Sequence, residues 1–201
     1  MTTIDELRRL VPPPADPVDT TGDWQQVEAA LGLGLPADFK ALDASYGRGL
    51  FVDFISPLTS FGARNLLLEH ARRLLDGERS FRRTNPEKCP HLFYPEPGGL
   101  LEWAAVDNGA RLCWRTEGEP DTWTVVAWTP RSWYYESHEM GAVEFLHGLL
   151  SGRITTEAFS LEVEVEDEYD GDDGDDGDDS EGEGEAGGAL LPVPVFEPAR
   201  R

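Results

Sequence analysis

Apolar and polar positions along the chain alternate between two periods, and the switches between them divide it into elements. Ile4, Leu7 and Leu10 share one face of a short helix over residues 2–11, for which Thr3-Ile4-Asp5-Glu6 offers a capping box. Trp24, Val27, Ala30 and Leu31 recur at helical spacing behind Asp23, a candidate N-cap with Gln26 three residues further on. Gly32 and Gly34 end that helix, and Leu35-Pro36 opens the next, because proline is accepted in a first helical turn. Phe39, Leu42 and Tyr46 form its stripe, and Gly47 stands where a C-cap is wanted. Beyond Gly49 the period drops to that of a strand, Leu50 to Ile55, until Pro57.

A further helix is expected at about 63–75, ended by Asp76-Gly77, followed by a long connection over 78–99 with a short strand at His91–Tyr94. Three β-rich runs follow, Leu100–Val106, Arg111–Thr116 and Thr122–Trp128. Asp107-Asn108-Gly109 between the first two predicts a hairpin of type I′ geometry, and Trp133-Tyr134-Tyr135 a fourth, edge strand. A last helix is expected at about 139–151, with TTEAF after it adding one more turn. The elements predict an α+β fold: helices packed on an antiparallel meander of about four to six strands.

Composition changes this picture mainly at one place. The chain of 201 residues has a net charge of −22, but residues 162–185 hold 15 acidic and no basic residues. Residues 1–161 hold 23 acidic against 15 basic residues, a net charge near −8. The acidic stretch, rich in Gly and Asp, cannot bury enough surface to offset its ordering entropy and is expected to be disordered. The closing ALLPVPVFEPARR is apolar again and reads either as a short linear motif on a tether or, more plainly, as an inert end. The expected organisation is therefore a helix and proline-rich connector over 1–22, a globular domain over 23–160, and a tail over 161–201.

Charge and cysteine content exclude several functions. An acidic body with an acidic tail lacks the clustered Lys and Arg that phosphate contacts demand, which argues against nucleic acid and suits a cationic protein partner. Two cysteines, Cys89 and Cys113, are too few for a disulfide framework. With no secretory leader pattern and no apolar run of membrane-spanning length, a cytoplasmic location is expected.

No constellation for catalysis emerges. Cys89-Pro90-His91 lacks a second pair at zinc spacing, while His70, His138 and His147 are scattered, so no metal or other cofactor is expected. The DGDDGDDGDD repeats lack the ligand spacing of an EF-hand. Cys113 lies mid-strand, where a buried inert thiol belongs, and Gly47-Arg48-Gly49 lacks the Lys-Ser/Thr of a phosphate loop. Glu102, Asp107 and Glu136 read as surface charge on a meander, and no small-molecule substrate is evident. Aromatic residues hold the remaining interest. In 122–128, Trp123, Val125 and Ala127 face one way and Thr124, Val126 and Trp128 the other, so either both sheet faces are covered or one presents an aromatic patch.

The ordered set of motifs resembles the SUKH superfamily, which includes the Smi/Knr-type fungal cell-wall regulators and many bacterial proteins. The resemblance rests on Trp24, Leu31-Gly32, Leu35-Pro36, Asp38-Phe39-Lys40, Tyr46-Gly47 and Gly49. It continues through Trp103, Asp107-Asn108-Gly109, Trp114, the Pro-Asp-x-Trp ending at Trp123, and Glu144-Phe145-Leu146. It covers about residues 20–152. It implies a protein-binding module, of a kind whose bacterial members are regarded mostly as immunity proteins that neutralise toxins, often nucleases; a monomer without catalytic activity is expected. Trp133, Tyr134, Tyr135 and Glu136, with Asp107 and Asn108, are the expected contact residues for a basic toxin domain. The alternative is a regulatory scaffold recruiting partners through its acidic tail.

Overall fold

The computed structural model describes residues 3–161 and 194–199, the side chains of 73–76 aside. Helices α1 (Ile4–Leu10), α2 (Trp24–Leu31) and α3 (Ala37–Tyr46) precede the hairpin of β1 (Gly49–Phe51) and β2 (Ile55–Pro57). Helix α4 (Leu66–Thr84) intervenes before β3 (Leu100–Val106), β4 (Arg111–Arg115), β5 (Thr124–Thr129) and β6 (Tyr134–His138). Helix α5 (Ala142–Leu150) closes the body, and β7 (Phe196–Pro198) follows near the C-terminus. The sheet has seven strands in the order β6-β5-β4-β3-β2-β1-β7, every neighbouring pair antiparallel. The fold is α+β, as the sequence predicts. The disorder expected of the acidic segment falls on 162–193, outside the described residues.

The signals at the helix ends act largely as read. The Thr3 N–H donates to Glu6 Oε2 at 2.7 Å, the returning half of the capping box, and Asp23 accepts the Gln25 N–H at 2.9 Å. Glu28 ties α2 to the following helix: its Oε1 accepts the Leu35 N–H at 2.8 Å and pairs with Lys40 Nζ at 2.5 Å. Pro36 occupies the N-cap of α3 itself, not its first turn. At Gly47 the backbone passes so close to the connector that a Cβ would lie 2.1 Å from the Val18 carbonyl oxygen, where Val18 pairs with Gly47 in a short parallel bridge.

Five local expectations are corrected. The run Leu50–Ile55 is two strands: Val52 and Asp53 adopt φ of 48° and 55° and reverse the chain between β1 and β2. The type I′ geometry expected at Asn108-Gly109 is found at that turn instead. The β3–β4 loop has only Gly109 left-handed, at 88°. Helix α4 runs through Asp76-Gly77 to Thr84, since an interior glycine costs only about 1 kcal/mol and Phe81, one turn beyond it, stacks on Trp133 at 3.9 Å. Residues 91–94 contribute one bridge, Phe93 with Leu100, and Thr156 bridges Phe159 where a helical turn is expected.

The sheet is covered on both faces. The larger core lies under α1, α2, α3 and α5 and holds Leu101, Trp103, Leu112, Trp114, Trp123, Val125 and Ala127 from the sheet. Trp114 is its hub: Phe39 meets it edge-on at 4.8 Å, with Trp103 at 6.0 Å and Trp123 at 5.9 Å. Trp24 packs edge-on against Phe61 at 4.7 Å, and Lys40 lies 5.7 Å over its ring. The motif residues are thus mutual packing partners. The smaller core on the opposite face holds Cys89, Phe93, Leu100, Cys113, Val126 and Trp128, closed over by Phe81, Trp133 and Tyr135. Trp123, just before β5, and Trp128 within it therefore go to opposite faces, and both are buried. The N-terminal helix belongs to the same body: Leu7 and Val11 are fully buried, and the Tyr46 hydroxyl donates to the Val11 carbonyl at 2.6 Å.

Candidate functional site

Two depressions mark opposite ends of the central strands. The register sets them apart: Arg111, Trp128 and Tyr135 align at one end, Arg115, Thr124 and His138 at or near the other. Six residues of β5 separate these ends by roughly 17 Å.

The first end carries the predicted contact residues. Trp133 takes φ of 54° in the β5–β6 turn, which lays its ring flat on Phe81, 5° from parallel. Tyr135 stacks on Trp128 at 5.6 Å and 6°, beside His91 at 5.0 Å. Its hydroxyl sits 3.5 Å from Cys89 Sγ, and burial keeps that phenol strongly in its protonated form. Tyr134 turns the other way and donates to Glu157 Oε2 at 3.0 Å. Trp133, Tyr134 and Tyr135 line an open cavity of about 580 Å³ together with Glu87, Lys88, His91 and Arg131. This is an aromatic shelf. All three rings are half-buried, and two bases and one acid stand at its rim.

Of the other predicted contacts, Asp107 and Asn108 are exposed, whereas Glu136 is less available. Glu136 Oε2 accepts from Thr156 Oγ1 at 2.7 Å and from the Glu157 N–H at 2.9 Å, while Oε1 lies 3.2 Å from His138 Nε2. Its charge is committed to holding the 156–157 turn. Asp107 and Asn108 sit in the β3–β4 loop at the same end of the sheet, where Asn108 Oδ1 accepts the Ala110 N–H at 2.9 Å. The third carboxylate of the sequence analysis, Glu102, is 2% exposed on β3, not surface charge as read there. It meets His70 Nδ1 at 3.2 Å and Arg111 Nη1 at 3.8 Å, with Glu78 on the far side of Arg111 at 3.6 Å. This group ties α4 to β3 and β4 beside a cavity of about 240 Å³. Glu102 and Glu136 have separate partners, and Asp107 lies in an exposed loop, so the three do not converge.

The second end was not singled out from the sequence. A cleft of about 220 Å³ lies between α3, the 3-10 turn Pro120–Thr122 and the start of α5. Trp114 and Trp123 contribute to its lining, and Asp38, Asp121 and Glu144 line it too. Two of these acids also cap helices. Asp38 Oδ2 accepts the Val143 N–H at 3.1 Å, and Asp121 Oδ1 accepts the Ala37 N–H at 2.6 Å. Burial raises the Asp38 carboxyl above its ordinary range, opposed by the Val143 N–H and reinforced by the Asp121 charge. Exposed Glu117, Glu119 and Glu139 follow nearby in sequence, with Arg115, paired to Glu117 at 2.7 Å, as the neighbouring base. The signal available in the sequence was the pairing of Asp38-Phe39 with Pro120-Asp121-x-Trp123, whose juxtaposition only the fold supplies.

Among the described residues no group of three or more metal-ligating side chains converges, and no helix is long and apolar enough to cross a membrane. A helix-backed antiparallel sheet, its tryptophans turned inward and its ends open, defines a binding domain of the Smi/Knr-like, immunity-protein type. The chain belongs to the SUKH family: the family model described as SMI1-KNR4 cell-wall matches residues 21–146. That family is generally non-enzymatic, and membership points to protein–protein interaction. No curated protein and no solved structure matches the chain.

Proposed function

We propose that the domain is a cytoplasmic, non-catalytic module that binds and neutralises a basic protein domain, as an immunity protein does a toxin. The observation that carries this reading is the acidic cleft. Asp38, Asp121 and Glu144 meet there over Trp114 and Trp123, so a partner's Arg or Lys would find carboxylates over an aromatic floor. Charge of one sign concentrated in a cleft speeds encounter with an opposite charge. The shelf of Trp133, Tyr134 and Tyr135, with Asp107, Asn108 and Glu136 around it, is the second contact face. Its partly exposed aromatics have the composition of a binding hot spot.

The scaffold reading draws on β7: the tail's apolar end lies along the body, so recruitment through it would first require its release. Co-expression with the product of the adjacent open reading frame tests the main reading. Rescue of growth from that product and its co-purification with this chain are expected. Failure of both, with the chain folded and abundant, would overturn the immunity role.

A further inference from the structure

The C-terminal segment, the plainer reading of which was an inert end, forms the outermost strand of the sheet. Val195 accepts the Val52 N–H at 2.9 Å, and Ala199 donates to the Arg48 carbonyl at 2.9 Å. Between these bonds Phe51 aligns with Phe196, Leu50 with Glu197 and Gly49 with Pro198. The Phe196 ring lies 5.1 Å from Tyr46 and 4.8 Å from Phe51. A Cβ at Gly49 would stand 2.3 Å from both Phe196 Cζ and the Glu197 carbonyl oxygen. The edge of β1 is therefore shaped for a strand with an aromatic side chain: the missing Cβ makes the seat.

Three observations mark the occupant as removable. It is a three-residue strand, held to the body by main-chain bonds and by the Phe196 ring. The sequence between it and residue 161 includes the acidic run 162–185, whose like charges repel an acidic body. Among the described residues, Leu50 at 36% and Val195 at 43% are the exposed large apolar ones, and both belong to this one edge. Val195 and Glu197, two apart, share the outward side on which Leu50 stands.

We propose that the β1 edge is a strand-docking groove for an extended, aromatic-bearing segment of a second protein, and that Val195–Ala199 is its resident, displaceable occupant. Docking by strand addition takes affinity from main-chain hydrogen bonds and specificity from the ring pocket. The tether holds the resident at an effective concentration on the order of millimolar, so a partner's segment competes against a local plug rather than an empty edge. The inference is independent of the acidic cleft, from which this edge is separated by the intervening strands.

The test uses the full chain and a fluorescent peptide of sequence VPVFEPA. Phe196→Ala, which weakens the plug and leaves the groove intact, should bind the peptide about tenfold more tightly than wild type. Adding Gly49→Leu should abolish that binding, and the same peptide with alanine for phenylalanine should not bind. In wild type, the Val52 and Ala199 amides should exchange with solvent far faster than the Leu112 amide in β4. No binding to a folded Phe196→Ala chain would overturn the proposal. So would Val52 and Ala199 protection equal to that of Leu112, since the strand would then open only with the whole fold. A dimer that disappears on Phe196→Ala would also overturn it, because the groove would then serve a second copy. Loss of partner binding at the cleft leaves each of these readouts unchanged, so the two proposals fail separately.

Discussion

The two ends of the sheet are built on different physics. At the aromatic end, rings hold one another: Trp133 on Phe81, Tyr135 on Trp128, and Arg111 over Trp128 at 5.1 Å. At the acidic end, carboxylates serve as helix caps while remaining around a cleft: Asp38 caps α5 and Asp121 caps α3. The first arrangement spends its aromatics largely on closing the smaller core. The second leaves charge where a partner reaches it, at some cost in stability, because burial and the neighbouring Asp121 charge both disfavour an ionised Asp38. An aromatic cluster in sequence can thus be mostly structural, and a pair of capping aspartates can belong to a binding surface.

The largest expected effect breaks the aromatic end. Trp128→Ala removes a fully buried ring from the smaller core and should cost about 3–5 kcal/mol in denaturant unfolding. Tyr134→Ala, a few residues away and only half-buried against the other core, should cost less, about 1 kcal/mol. Equal costs would mean that the shelf is one packed unit.

The next concerns buried charge on α3, the helix that also carries Asp38. Asp43 is 4% exposed, accepts the Ser60 N–H at 3.4 Å, and burial pushes its carboxyl up to about 7. Its pKa is higher folded than unfolded, so the folded state holds the extra proton between about pH 4 and about pH 7, and stability falls as pH rises through that window. The total loss is on the order of a few kcal/mol. Asp43→Asn should flatten the slope and raise Tm above pH 7 while leaving it nearly unchanged at pH 4. A slope identical to wild type would contradict the account.

Smaller effects follow. Glu136→Ala frees the 156–157 turn and should cost about 1–3 kcal/mol, with faster amide exchange at Glu157. Relief of the left-handed strain at Val52 by Val52→Gly should stabilise the fold by about 1 kcal/mol, read as a rise in Tm.

What was legible in the sequence is mostly what local chemistry decides. Asp23, Glu6, Gly32 and the β-rich runs around Asp107-Asn108-Gly109 announce caps and a meander, because each acts on neighbours a few residues away. The inward tryptophans were legible as alternation, though not which partner covered each face. The turn at Val52-Asp53 was hidden because Val52, a β-branched residue that avoids positive φ, adopts it, held by strands on either side. Helix α4 was read short because Gly77 looks like a stop until Phe81 finds Trp133. The acidic cleft and the β1 groove were not legible at all. Asp38 and Asp121 stand far apart in the chain, as do Gly49 and Phe196, and only the sheet brings each pair together.

The central claim is that the acidic end is the principal partner face. The direct measurement is the affinity of the co-purifying basic domain, by calorimetry at low and high salt, for wild type, Glu119→Lys/Glu144→Lys and Tyr134→Ala. The double charge reversal should weaken binding about 100-fold, or roughly 2.7 kcal/mol, and remove most of the salt dependence. Tyr134→Ala should cost about tenfold and leave the salt dependence intact. Affinity and salt dependence unchanged by the double reversal would contradict the account.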